Sequence, residues 1–443
     1  MNDYSIVLII INSWLVIRMC KSNKVHLLLK ILLCVSYFGW NAVPALLMSF
    51  PDLLGIGNLT NENYIICSYL NQIFLFFSYS FAFWLIDKKK CPYFISRVDY
   101  QNTKVFFNIF VSIALILSIY KCLSLVLNQN SYWDGNNLEN ITAMGPIDFL
   151  SGMAVSFLTG AIIICKESFK PLIYRISFIV IASFLLIHTL RGGRIYIFGL
   201  VIILLYYGLS EHKTRLILVT SIIGVLGLSL LPVLGSLRGE NKIRLEDISA
   251  ASTSSTGQIV LGEVLTKTNS VLYGSYLLGR DGIGKWDGMM YSSTLYALIP
   301  RFIYPAKPEP GSVDGTPYGL PGRASFSYNS IGEYNDIGSN GIPASISSLW
   351  GGGWLAYLVE ILSSGLLLFL INWIFYSKKA LFLSFVMSLI SFPATIMEVP
   401  LPTILIQVQR FILIYIFIGL FFNNQMSNKK NIIKHDYDKT TSL

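Results

Sequence analysis

Runs of about twenty apolar residues recur along this 443-residue chain, and they constrain its fold more than any motif does. Inside a bilayer no water is available to the backbone, so each N–H and C=O must be satisfied within the protein and such runs form helices. The apolar runs cover 4–17, 25–50, 64–86, 105–127, 146–165, 176–190, 195–210, 216–235, 353–376, 380–397 and 404–422, with Pro44 marking a kink in the second. Only 13% of the residues are charged, about half of the roughly 25% usual in soluble domains. The predicted fold class is all-α: a polytopic integral membrane protein with about eleven transmembrane helices and one large external loop containing short helices.

Charge placement orients the helices. Lys and Arg gather in alternate short loops, at Arg18 to Lys24, Lys88 to Lys104, Lys166 to Arg175, Lys213 to Arg215 and Lys378 to Lys379, and in the tail from Lys429. The intervening short loops nearly lack them. Basic loops stay on the cytoplasmic side, which places the N-terminus outside and the C-terminus inside. The net charge of +9 is therefore an orientation signal, and no nucleic-acid partner is expected. The first run lacks a basic stretch ahead of it, so it reads as a retained span and not as a cleaved signal. Four regions follow: residues 1–235 with helices one to eight, 236–341 as the large external loop, 342–422 with helices nine to eleven, and 423–443 as a cytoplasmic tail.

The external segment 236–341 is too long for a turn and too rich in aromatic and apolar residues for a linker. None of the six cysteines lies in it, so packing must hold its shape. The chain has neither a phosphate-binding P-loop nor a Cys/His metal spacing, and no cofactor or metal is expected.

Four groups of residues in or beside this segment suit chemistry. Arg191-Gly-Gly-Arg194 is a tight turn on the outer side, against the charge bias of its neighbours. Its arginines suit forked contacts to phosphate or carboxylate, or contact with lipid headgroups. His188, one turn earlier, reads as a helix-end residue or a substrate contact. Arg301, Tyr304 and Lys307 stand in the proline-stiffened stretch ALIPRFIYPAKP; Arg301, like Arg238 and Arg323, is either an anion contact or half of an ion pair with a loop acid. Glu333 and Asp336, in SIGEYNDIG, are candidate general bases or structural caps. Tyr304 and Tyr334 offer flat faces with a polar end, suited to sugar rings, whereas Trp350 and Trp354 read as interface anchors at the head of the ninth span.

The order of these features resembles the Wzy-type polymerases of bacterial O-antigen and capsule repeat units. The resemblance rests on Leu298 to Pro308, with support from Arg191 to Arg194 and from Gly332-Glu333-Tyr334 ahead of a glycine-rich return. It implies a metal-independent, inverting glycosyl transfer at the outer face of the bacterial inner membrane. The substrates would be a glycan donor and a glycan acceptor, both carried on undecaprenyl pyrophosphate in the lipid bilayer, with a chain-length regulator as a further partner. Arg191, Arg194, Arg238 and Arg301 would neutralise the pyrophosphate, with Lys307, Arg323, Tyr304, Tyr334 and His188 as further substrate contacts. Glu333 would take the acceptor proton, with Asp336 as the alternative. The other readings are an O-antigen ligase, which usually places a histidine in its large loop where this chain has none, and a flippase or other transporter, which generally lacks so large a loop.

Overall fold

The structure, a computed structural model, describes residues 3–48, 63–88, 104–127, 151, 154–155, 158, 170–190, 201, 204–206, 208–209, 212–222, 224, 270–285, 304, 323–324, 327–328, 334–335, 340–341 and 343–376. The described chain is mostly helical. Helix α1 covers Asp3–Lys21 and α2 Leu27–Cys34. A π-helical segment, Val35–Ala42, continues α2 directly into α3, Val43–Leu47. Then come α4 (Tyr64–Lys88), α5 (Lys104–Leu127), α6 (Pro171–Leu190), α7 (Ser270–Asp281) and α8 (Ala344–Tyr376). Three stretches, Leu27–Leu46, Tyr64–Lys88 and Ala344–Trp373, are long and apolar enough to cross a membrane. The expected spans at 146–165, 195–210, 216–235, 380–397 and 404–422 lie wholly or partly outside the described residues.

Exposure along these helices is inverted relative to a water-soluble bundle. On α8 the outward face carries Leu355, Leu358, Val359, Leu362, Leu366 and Leu370, at spacings of three and four, while Glu360, Ser364 and Asn372 are buried. On α4, Ile66, Phe77 and Trp84 face outward while Ser68, Asn71, Gln72 and Ser78 are buried. A soluble helix turns its apolar stripe inward; here the apolar stripe faces out and the polar side chains face each other, as lipid surroundings require.

The contacts also give the directions of the helices. Tyr357 donates to the Leu70 carbonyl (2.6 Å), Ser78 Oγ to the Ile361 carbonyl (3.2 Å), and the Asn372 amide to the Lys24 carbonyl (3.0 Å), beside which Lys24 pairs with Asp87. Rising numbers on α4 meet rising numbers on α8, so the two run parallel. Helix α1 runs the same way, because Asn12 bonds Gln72 and Lys24 bonds Asp87. Helix α2 runs opposite, with Tyr37 donating to Ile9 and Cys20 lying beside Lys30. These directions match those expected for spans one, two, three and nine. If each run crosses the bilayer, parallel α4 and α8 need an odd number of crossings between them.

Four elements add to or depart from the bounds read from the sequence. Helix α1 runs beyond the apolar run 4–17 and includes Arg18, whose guanidinium lies over Trp14 and Phe83, 5.3 and 5.4 Å from the ring centroids. Near Pro44 the chain answers the missing N–H by widening into a π-helix over the two preceding turns. The sixth helix begins at Pro171, not near 176, because proline opens a first helical turn without losing a bond. The ninth begins at Ala344, not Gly353, and is broken at Gly353, where φ is 71° and ψ −164°, a conformation essentially reserved for glycine. Its first half, up to Trp350, is buried throughout.

Candidate functional site

The segment 236–341 meets the helical bundle at the break in α8. Helix α7 ends in Arg280-Asp281, followed by Gly282-Ile283-Gly284-Lys285. Gly282 and Gly284 take φ of 82° and 73°, and the Gly282 N–H caps the Leu278 carbonyl at 3.0 Å, a glycine stop to the helix. The chain then folds onto the first half of α8. Gly284 N–H donates to the Leu349 carbonyl (3.1 Å) and Lys285 N–H to the Trp350 carbonyl (2.8 Å). These carbonyls belong to the end of a half-helix and would otherwise lack partners. Gly353 lies against this turn, its would-be Cβ 3.8 Å from Gly284 Cα.

Asp281 is the hub of the junction, its side chain 11% exposed. Arg280 grips it with two hydrogen bonds, Nε at 3.0 Å and NH2 at 2.8 Å. Lys285 Nζ stands 2.9 Å from the same carboxylate, and Trp350 Nε1 donates to it at 3.2 Å. The Arg280 hydrogen bonds, reinforced by those from Lys285 and Trp350, outweigh partial burial and hold the Asp281 carboxyl down at about 2. Arg280 is half-exposed and uses its forked N–H donors on this one carboxylate.

Below the junction a polar network ties the half-helix into the bundle. Ser345 Oγ donates to Asn71 Oδ1 (2.6 Å), Asn71 Nδ2 to Asn41 Oδ1 (2.9 Å), and Asn41 Nδ2 to the Ser36 carbonyl (3.0 Å). All four residues are buried. Asn12 Nδ2 meets both the side chain and the backbone carbonyl of Gln72 at 2.9 Å. Lower on α8, Glu360 is fully buried; it is the one charged residue between Ala344 and Tyr376.

The sequence-predicted site residues fall as follows. His188 lies in the last turn of α6, two residues before its end at Leu190. Tyr304 is exposed. Arg323 and Tyr334 lie in short strands, β1 (Arg323–Ala324), β2 (Ser327–Tyr328), β3 (Tyr334–Asn335) and β4 (Asn340–Gly341). β1 pairs antiparallel with β4, setting Arg323 opposite Gly341, and β2 with β3, setting Tyr328 opposite Tyr334. These residues form two short antiparallel pairs where only short helices were expected. Glu333 immediately precedes β3, and Asp336 immediately follows it. Arg191, Arg194, Arg238, Arg301, Lys307, Glu333 and Asp336 lie outside the described residues.

Trp350 also departs from the sequence reading. It is 4% exposed and bonded to Asp281, so it is part of the junction and not a headgroup anchor; Trp354, 54% exposed beyond the break, fits that role. Asp281, Arg280, Lys285 and Glu360 were missed by reasoning from the sequence. Asp281 and Lys285 had a signal, opposite charges four apart across two glycines, and Glu360 had another, a lone carboxylate in an apolar run. No protein-family model, no curated protein and no solved structure matches the chain.

Proposed function

We propose that this protein is a glycosyltransferase that polymerises oligosaccharide repeat units carried on undecaprenyl pyrophosphate, at the periplasmic face of a bacterial inner membrane. The observation that carries the reading is the stretch Leu298 to Pro308, LIPRFIYPAKP, within a long polar segment bracketed by apolar helices. The finer topology belongs to the same proposal: about eleven spans, the N-terminus periplasmic and the C-terminus cytoplasmic. The parallel course of α4 and α8 supports it, since five spans lie between them in that scheme.

The reaction joins two lipid-linked glycans. A hydroxyl of the acceptor sugar attacks the anomeric carbon of the donor glycan, and the bond from that carbon to the pyrophosphate oxygen breaks. Glu333, or Asp336 beside it, takes the hydroxyl proton. Arg191, Arg194, Arg238 and Arg301 offset the charge that gathers on the leaving pyrophosphate, in the manner of an oxyanion hole. Arg280 and Lys285, gathered on Asp281 beside the first half of α8, add two cations to the same polar segment in support of this role. Tyr304 and Tyr334 serve as sugar platforms, and Lys307, Arg323 and His188 as further polar contacts.

Gel analysis of surface glycan from a deletion strain tests the proposal. Glycans carrying a single repeat unit are expected, since export and attachment persist without polymerisation. Glycan with no repeat unit attached points to a ligase or flippase, and an unchanged ladder removes the protein from the process.

A further inference from the structure

We propose that Cys20 and Cys34 form a reversible disulfide site joining α1 to α2. Their sulfurs lie 3.5 Å apart in a direct Sγ···Sγ contact between antiparallel helices. Both are free thiols, and neither is fully buried, in contrast to Cys67. Cys20 Sγ also lies 3.8 Å from the Lys30 carbonyl, which turns it toward α2 one turn before Cys34. A disulfide needs the sulfurs at about 2.05 Å, so closure requires them to approach by about 1.5 Å from their present contact. Cys122 has no such neighbour among the described residues: its sulfur meets the Val180 carbonyl at 3.7 Å.

The position gives the bond a consequence. Cys34 is the residue from which the π-helical segment Val35–Ala42 departs. That segment supplies Tyr37, which bonds Ile9 on α1, and Asn41, which bonds Asn71 beneath the broken helix. Oxidation therefore pins the base of the segment to α1 and fixes the register of the side chains that feed the polar network. A low-molecular-weight disulfide carries out the step by exchange. One cysteine thiolate attacks the reagent disulfide and releases a thiol; the second thiolate attacks the mixed disulfide and releases the other. Two protein thiols become one protein disulfide, and one reagent disulfide becomes two thiols.

The test uses the full chain in detergent, with Cys67, Cys91, Cys122 and Cys165 replaced by alanine. The protein is treated with oxidised glutathione, cleared of reagent, unfolded in dodecyl sulfate, alkylated with N-ethylmaleimide and weighed by mass spectrometry. Alkylation at both cysteines before oxidation, at neither afterwards, and at both again after dithiothreitol is expected, with the oxidised chain still monomeric on a non-reducing gel. The C20S and C34S variants should each hold a glutathione adduct on the remaining cysteine, since the resolving thiol is gone. Full alkylation after oxidation overturns the proposal. So does a stable glutathione adduct on the two-cysteine protein, or loss of alkylation through a dimer band.

Discussion

Replacing Gly365 with alanine tests the close crossing of α4 and α8 that holds the broken helix in place. A Cβ at this position would lie 2.8 Å from the Ser78 carbonyl oxygen and 2.8 Å from Phe81 Cδ1. Phe81 can rotate aside. The Ser78 backbone cannot, because it lies inside a helix and Ser78 Oγ is bonded to the Ile361 carbonyl at 3.2 Å. In an open helix interior the same change stabilises by about 1 kcal/mol, through chain entropy and helix propensity. Overpacking a tight interior costs about 1–3 kcal/mol, so Gly365→Ala should be a net loss of up to about 2 kcal/mol. Gly39→Ala is the control, as nothing lies within 4 Å of its would-be Cβ. The assay is thermal unfolding of the purified variants in one detergent at one scan rate. The midpoint should fall for Gly365→Ala and hold or rise for Gly39→Ala. A Gly365→Ala protein at least as stable as Gly39→Ala would refute the close crossing.

Three further predictions follow from the junction and from the proposed chemistry. Asp281→Asn should lower stability by about 1–2 kcal/mol at pH 7, since the charged partners of a carboxylate held near 2 lose their anion; because that depressed value means the contribution is complete above about pH 4 and lost as pH falls through 2, the gap to the wild type should narrow by about half near pH 3, and a gap that stays constant with pH would count against the pairing. Arg191→Ala, Arg194→Ala or Arg301→Ala should each cut polymer formation by about 100-fold or more at normal membrane abundance, with lysine restoring part where a point charge suffices, and Glu333→Gln should be as severe; normal polymer from Arg301→Ala combined with Glu333→Gln would remove both from the site. Cysteines introduced at Gly192 and Gly311 should react with a membrane-impermeant reagent in intact spheroplasts, and protection of both until the membrane is broken would reverse the orientation.

How much of this was legible in the sequence depended on how local the cause was. Tyr64–Lys88 was readable within two residues of its end, because bilayer thickness sets a length that a single apolar run reports. The first half of α8 was not, because ASISSLWGGG has the serine and glycine content of a loop. Its helix depends on remote partners: Asn71 for Ser345, and Gly284 and Lys285 for the carbonyls at its end. Asp281 escaped notice for the same reason, since Trp350, which helps to fix it, lies 69 positions away. Pro44 announced an irregularity, but a missing N–H says where a helix is disturbed and not that it widens into π geometry. Of the candidate residues, Arg323 and Tyr334 each lie in a short antiparallel strand pair, and two-residue strands are too short to announce themselves by alternation.

The most direct test of the proposed activity is reconstitution. Lipid-linked repeat units extracted from the deletion strain are incorporated into liposomes with the purified protein, and the products are resolved by length on a gel. A ladder of glycans of two and more repeat units, built without added metal or nucleotide sugar and absent with Glu333→Gln or Arg301→Ala, is the predicted result. Repeat units that remain single with the folded wild-type protein, or a ladder that both variants also make, would contradict the account.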